Sequence, residues 1–195
     1  MKLEIVTPPA LEPITASVAK RHLRLETDDS LYQYETDYIA NLITMSREQA
    51  EFHTRRAFIT QTWKLYLNEW PSGNSISLPL PPLISVTHVK YTDTDSVQST
   101  FTDYSVDTGT PGRVVLDDGE SWPSDSLHPK NPIEIQFVAG YGPAVANVPA
   151  SIRQAMLLQI GHLYENRERV IAGVSVTNVP FAFDSLLASY RWFPE

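Results

Sequence analysis

The chain has 195 residues, 42% hydrophobic and 19% charged, with a net charge of −8 and no cysteine. That length is enough to bury a full core as one domain, or one domain with an insertion. The missing thiols exclude disulfides, thiolate metal sites and cysteine nucleophiles.

No apolar run reaches the roughly 18 to 20 residues needed to cross a bilayer, so no membrane contact is expected. The opening stretch "MKLEIVTPPALEP" has no apolar signal core or cleavage pattern. The compartment expected from this is the cytoplasm in which the protein is made. The charge is unevenly placed: residues 68–134 hold ten acids against Lys90, Arg113 and Lys130, a balance of −7, while the rest holds thirteen acids and twelve bases, or −1. A nucleic-acid binder clusters Lys and Arg to neutralise phosphates. The middle third has the opposite sign: plainly a solvated acidic surface, more sharply a surface that does not adhere to DNA.

Thr15 is placed to cap a short helix over 16–23, with Pro13 just outside it. After the polar break "LETDDS", Asp29 or Ser30 caps a second helix. From Leu31, Tyr34, Tyr38, Leu42 and Met45 recur at three- and four-residue steps, which predicts one buried helical stripe. Arg55 and Arg56 fall at its negative end. About 25 residues at the usual rise give a helix near 40 Å long.

The period then becomes two. "TWKLYLNEW" alternates Trp63, Leu65 and Leu67 against Lys64, Tyr66 and Asn68, and "PIEIQFV" alternates Ile133, Ile135 and Phe137 against Glu134 and Gln136. Between them "ISVTHVKY", "TDYSVD" and "GRVVLDDG" are separated by turn clusters. Residues 60–140 thus read as an antiparallel sheet of five or six short strands. Within it "LPLPPL" sets Pro79, Pro81 and Pro82 where no central strand can run; the segment predicts a stiff corner between two strands.

Pro149 suits the first turn of a third helix. In "ASIRQAMLLQIGHLYENRERV", Ile152, Met156, Ile160, Leu163 and Tyr164 form one stripe, while Ala155, Leu157 and Leu158 lie off it. A helix apolar on more than one side is buried on more than one side. Subunit contact is therefore expected at Tyr38, Leu42, Leu157, Leu158 and Tyr164, on the second and third helices. A last helix after Asp184 sets Phe183, Leu186, Leu187, Tyr190 and Phe193 on one face, flanked by Arg191 and Trp192. The fold class is thus α+β: a helical core of a long second helix, a third helix and short terminal helices, formed by residues 1–59 and 141–195, with an inserted antiparallel β-sheet subdomain at 60–140.

No catalytic constellation stands out. The histidines are scattered at positions 22, 53, 88, 128 and 162; His162 and Glu165 have a metal-compatible spacing but no second ligand pair. "DTDS" at 93–96 resembles the start of a calcium loop without its glycine and closing glutamate, and reads as a hairpin turn. "GTPGR" lacks the lysine of a phosphate loop. Asp117 and Asp118 are adjacent and do not face one substrate, and no Gly-x-Ser-x-Gly elbow exists. No enzyme activity, cofactor or metal is expected. Trp63, Trp70, Trp122 and Trp192 with nine tyrosines fit a core and subunit contacts, or alternatively a carbohydrate platform.

The ordered set of segments resembles the tailed-phage head–tail connector (adaptor) family, in the version whose helical core carries a β insertion. It runs from "EPITASVAKRHLRLETDDS" through "RRAFITQTWKLYLNEWP", "ISLPLPPLISVTHVKYTD" and "GYGPAVANVPASIRQAMLLQIGHLYENRE" to "VPFAFDSLLASYRWF". "DTDSVQST" lacks the expected glycine, and "PFAFD" is bulkier than the small residues usual before the final helix.

The resemblance implies a structural protein of the virion head–tail junction. Its copies would form a ring, commonly dodecameric, under the portal protein, and a monomer in dilute solution is compatible with that. The ring would extend the DNA channel without sequence-specific binding and join the head to a stopper or tail-completion protein. The C-terminal segment is similar to one that docks on the portal, which gives Leu186, Leu187, Tyr190, Arg191 and Trp192 as portal contacts. The alternative is a carbohydrate- or protein-binding accessory module of the phage tail. Copy number, the neighbour of the β insertion and the kind of particle (phage, prophage or gene-transfer particle) stay open at this point.

Overall fold

The computed structural model describes residues 1–25, 33–166 and 180–193. Their contacts divide the chain into a sheet unit, formed by Met1–Ala10 and Ile59–Pro143, and a helical unit, formed by the described residues of Leu11–Phe58 and Ala144–Phe193. The α+β class with an inserted sheet is as expected.

The first ten residues depart from the expected helical core: β1 (Lys2–Thr7) is a strand of the sheet unit, paired antiparallel to β2 (Gln61–Leu67). The signal was legible, since Leu3 and Ile5 alternate with Lys2 and Glu4.

β1, β2, β8 (Ile133–Ala139), β4 (Leu83–Thr92) and β5 (Gln98–Phe101) form a five-stranded antiparallel sheet in that order. Its register sets Trp63 opposite Phe137 and Leu65 opposite Ile135, while Val89 faces Ile135 from the other side. Leu65, Val89, Ile133, Ile135, Phe137 and Ala139 are all fully buried on one face. The opposite face carries Lys64, His88, Glu134 and Gln136, as the period of two requires. The turn at 93–97 is a hairpin, with Asp93 Oδ1 accepting from the backbone N–H of Asp95 and Val97, each at 2.9 Å.

A second sheet was not expected. β3 (Ser75–Ser77), β7 (Arg113–Leu116) and β6 (Tyr104–Asp107) form a three-stranded antiparallel sheet over Ile76 and Val114. The proline segment now has a function in the fold: it carries the chain from β3 in the small sheet to β4 in the large one. Leu78 still donates to Gly112 O at 2.8 Å, and Gly140 N donates to Pro82 O at 2.9 Å. Gly112 is required there, because a Cβ would lie 2.4 Å from that of Leu83.

In the helical unit, α1 (Ala16–His22) begins at Thr15, whose Oγ1 accepts from Val18 N. α2 (Gln33–Thr54) and α3 (Ala150–Glu165) are the long helices. α4 (Pro180–Leu187) begins before Asp184, not after it, and runs into a short 3-10 turn at Ala188–Tyr190. The expected cap at Asp29 or Ser30 lies outside the described residues.

The buried stripe of α2 is Ile39, Leu42, Ile43, Ser46, Arg47, Ala50 and Thr54, whereas Met45 is 44% exposed. Three polar members hid the true phase. Arg47 is buried between two carboxylates: Nε donates to Glu12 Oε2 and Nη1 to Glu51 Oε2, both at 2.8 Å. Glu12 also accepts from Thr44 Oγ1 at 2.9 Å, and Glu51 from Phe58 N at 2.8 Å. A buried guanidinium needs such pairing to offset its lost hydration.

Candidate assembly surfaces

α4 packs its own apolar residues inward. Phe183 is 5% exposed and Leu187 fully buried, one turn apart on the same helical face. His53 meets the Phe183 ring edge-on at 5.9 Å and approaches Asp184 at 3.7 Å. Beyond the helix, Arg56 Nε donates to Tyr190 O, and Trp192 N donates to Thr54 O. The last described turn is thus seated on the C-terminal end of α2.

This sorts the five expected portal contacts. Leu187 is buried within the helical unit and presents nothing outward. Leu186, Tyr190 and Trp192 are half-buried and Arg191 is exposed. The Arg191 guanidinium lies over the ring of Phe193, 4.9 Å from its centroid, and Phe193 is 64% exposed. Phe193 belongs with the outward group, although its helical phase alone placed it beside Leu187.

The five expected subunit contacts divide likewise. Leu42 is 3% exposed and lies in the core. Tyr38 and Tyr164 hold α2 to α3: their rings are 6.1 Å apart, Tyr38 Oη donates to Leu163 O, and Tyr164 Oη donates to Glu35 Oε1 at 3.1 Å. Leu157 and Leu158 are half-buried on α3. The residue that helical spacing did not single out is Phe52, 88% exposed, two turns along α2 from Met45. With exposed Glu48 and Gln49 between them, Met45 and Phe52 form an outward apolar strip on a well-packed helix. A free-standing helix gains nothing from such a strip; a partner surface would.

In the sheet unit the tryptophans pack on one another. Trp70 and Trp122 stack at 4.9 Å and 7°, with Phe101 and Tyr91 around Trp70, and Trp122 Nε1 donates to Gly73 O at 2.7 Å. Trp70 Nε1 is buried without a hydrogen-bond partner. This is a small aromatic core, not the open row of ring faces that a sugar platform requires. Trp63 is half-buried with its Nε1 on Gln61, and Trp192 belongs to the tail described above.

The polar face of the large sheet is centred on Glu134, which accepts from Lys64 Nζ at 3.0 Å and His88 Nε2 at 2.9 Å. Burial pushes the Glu134 carboxyl up, but the hydrogen bonds from His88 and Lys64 outweigh it and hold the group below the usual carboxylate range. Lys64 is correspondingly raised by its hydrogen bond to Glu134. Asp95, Asp103, Asp107, Asp117, Asp118, Glu120 and Asp125 are exposed, so the acidic stretch read from sequence is a solvated surface. Ser105 Oγ, and not a second carboxylate, meets Asp117. His162 Nδ1 lies beside Asn166 Nδ2 at 3.2 Å, and Glu165 is exposed. Among the described residues, no three His, Asp or Glu side chains converge as a metal site.

No family model and no curated protein matches the chain. Solved structures do. The chain is similar to one in the neck of an empty gene transfer agent particle, computed with C6 symmetry: the TM-score is 0.83 at 23% identity, covering 100% of this chain and 97% of that chain. A chain of the virion of the native gene transfer agent gives 0.80 at 23% identity with the same coverage. One in the native particle's neck, computed with C12 symmetry, gives 0.71 at 22%, again with the same coverage. The fold is shared from end to end, sheet unit and helical unit together.

Proposed function

We propose that this protein is a structural head–tail connector (adaptor) subunit of a tailed phage or phage-like particle. Copies assemble as a ring under the portal, prolong the DNA channel, and offer a platform to the stopper or tail. The observation that carries this reading is the end-to-end likeness to chains of gene transfer agent necks and virions.

The surfaces fit that role. A closed ring needs two different, complementary flanks on each subunit, and the Met45–Phe52 strip with half-buried Leu157 and Leu158 supplies apolar surface for them. Leu186, Tyr190, Arg191, Trp192 and Phe193 offer an aromatic and cationic tail for the portal, the residue types that anchor interfaces. The acidic sheet unit repels phosphate, so DNA would pass without being gripped. No reaction is assigned to the protein.

Co-expression with the portal protein of the same particle tests the reading. The expected product is a portal complex in which this chain forms a ring, seen by size and by negative-stain class averages. A chain that stays monomeric and unbound beside an assembled portal overturns it.

A further inference from the structure

Strand β3 is an edge of the three-stranded sheet, whose order is β3, β7, β6. On its paired side, Leu116 N donates to Asn74 O and Leu78 N to Gly112 O, on either side of Ile76 opposite Val114. Bonded and non-bonded residues alternate in an antiparallel ladder. The N–H and C=O groups of Ser75 and Ser77 therefore point away from β7, to the open edge. That edge borders an open cleft of about 650 Å³ whose lining includes Leu67, Glu69, Trp70, Pro71, Ser75 and Ile76.

We propose that this cleft receives an extended peptide segment of a partner protein, which adds to β3 as a fourth strand of the small sheet. Its main chain bonds Ser75 and Ser77, an apolar side chain rests against Leu67 and Trp70, and a basic side chain faces Glu69. Strand addition of this kind takes its affinity from main-chain bonds and its specificity from pockets for alternate side chains. The charge preference follows from Glu69, the one charged side chain among the residues that line the cleft.

Two of the other edges, β1 and β6, are less suited. β1 has an irregularity between Ile5 and Thr7 that interrupts a regular ladder. β6 ends in exposed Asp107 and does not line this cleft. A sugar is a poorer occupant than a peptide, because Trp70 has one ring face on Trp122 and a buried N–H.

The test is selection of a random dodecapeptide library against the intact chain, followed by amide hydrogen exchange with the recovered peptides. They should alternate apolar and polar residues, carry Lys or Arg, and slow exchange at Ser75 and Ser77. Ser77→Pro removes an outward N–H while sparing the pairing with β7, and should weaken binding about tenfold, the worth of one or two such bonds. Glu69→Lys should turn the recovered charge from basic to acidic. If Ser77→Pro loses its fold by circular dichroism, the exchange map of the natural chain decides. Recovery of no peptide, protection confined to other strands, unchanged affinity in a folded Ser77→Pro, or an oligosaccharide panel binding in place of peptides overturns the proposal.

Discussion

The backbone N–H of Trp192 donates to the carbonyl of Thr54 at 2.9 Å, so the tail of the chain closes the C-terminal end of α2. The last carbonyls of a helix have no intrahelical donor, and here the chain supplies one. With Phe183 and Leu187 in the core, each contributing about 1.5–3 kcal/mol, cutting away residues 183–195 would damage the helical unit itself. Point changes on the outward side are the cleaner test of portal contact. Arg191→Ala with Phe193→Ala should shift unfolding free energy by about 0.5 kcal/mol or less. It should weaken portal binding about tenfold, as loss of an interface anchor does. Titration against isolated portal checks this, and unchanged affinity removes the tail from the portal interface.

Arg47 is the most consequential polar residue of the helical unit. Arg47→Met leaves Glu12 and Glu51 without their buried cation, and should cost about 3–5 kcal/mol. Adding Glu12→Gln and Glu51→Gln to that variant should recover a large part of the loss, because the uncompensated charges are gone. Urea unfolding of the two variants measures the difference. Equal stability would show that Arg47 acts by packing alone.

The Glu134 group gives a pH dependence whose sign is fixed. The folded carboxyl titrates below its unfolded value. Its contribution is therefore present above the unfolded carboxylate range and is lost as pH falls through the folded value. Glu134→Gln should cost about 1 kcal/mol near neutral pH and flatten the acid limb of the stability curve. Unfolding measured at neutral pH and again at acid pH should show the two proteins converging. A constant gap would assign the effect to shape, not charge.

Met45 and Phe52 should behave oppositely to core residues. Phe52→Ser and Met45→Ser remove exposed apolar surface, so stability should change by about 0.5 kcal/mol or less, while assembly with the portal into rings should fail or weaken. Light scattering of the co-expressed complex reads this directly. Full assembly of the double variant would move the subunit contact elsewhere.

Much of the fold was readable because its signals are local. The Thr15 cap, the alternation in β2 and β8 and the proline corner each depend on neighbouring residues. The phase of α2 was not readable in the same way. Ser46 and Arg47 bond to partners distant in sequence, Met156 O and Glu12, while Thr54 bonds back to Ala50 O on its own helix, and a hydrophobic count sees all three as surface. That error placed Met45 inside. Leu42 was assigned to the core stripe and to a subunit contact at once; its burial keeps it in the core. At the tail the apolar stripe was visible, but its division into inward Phe183 and Leu187 and outward Phe193 depends on where Tyr190 and Trp192 meet α2. The second sheet was missed because β3, β6 and β7 are three or four residues each, and so short a run does not reveal its partner.

The most direct test of the neck reading is a cryo-microscopy reconstruction of particles carrying this chain, with symmetry assigned from the images. The account predicts a closed ring of copies between the portal and the tail, with the C-terminal tail against the portal. Absence of the chain from the neck, or its presence there in one or two copies only, would contradict it.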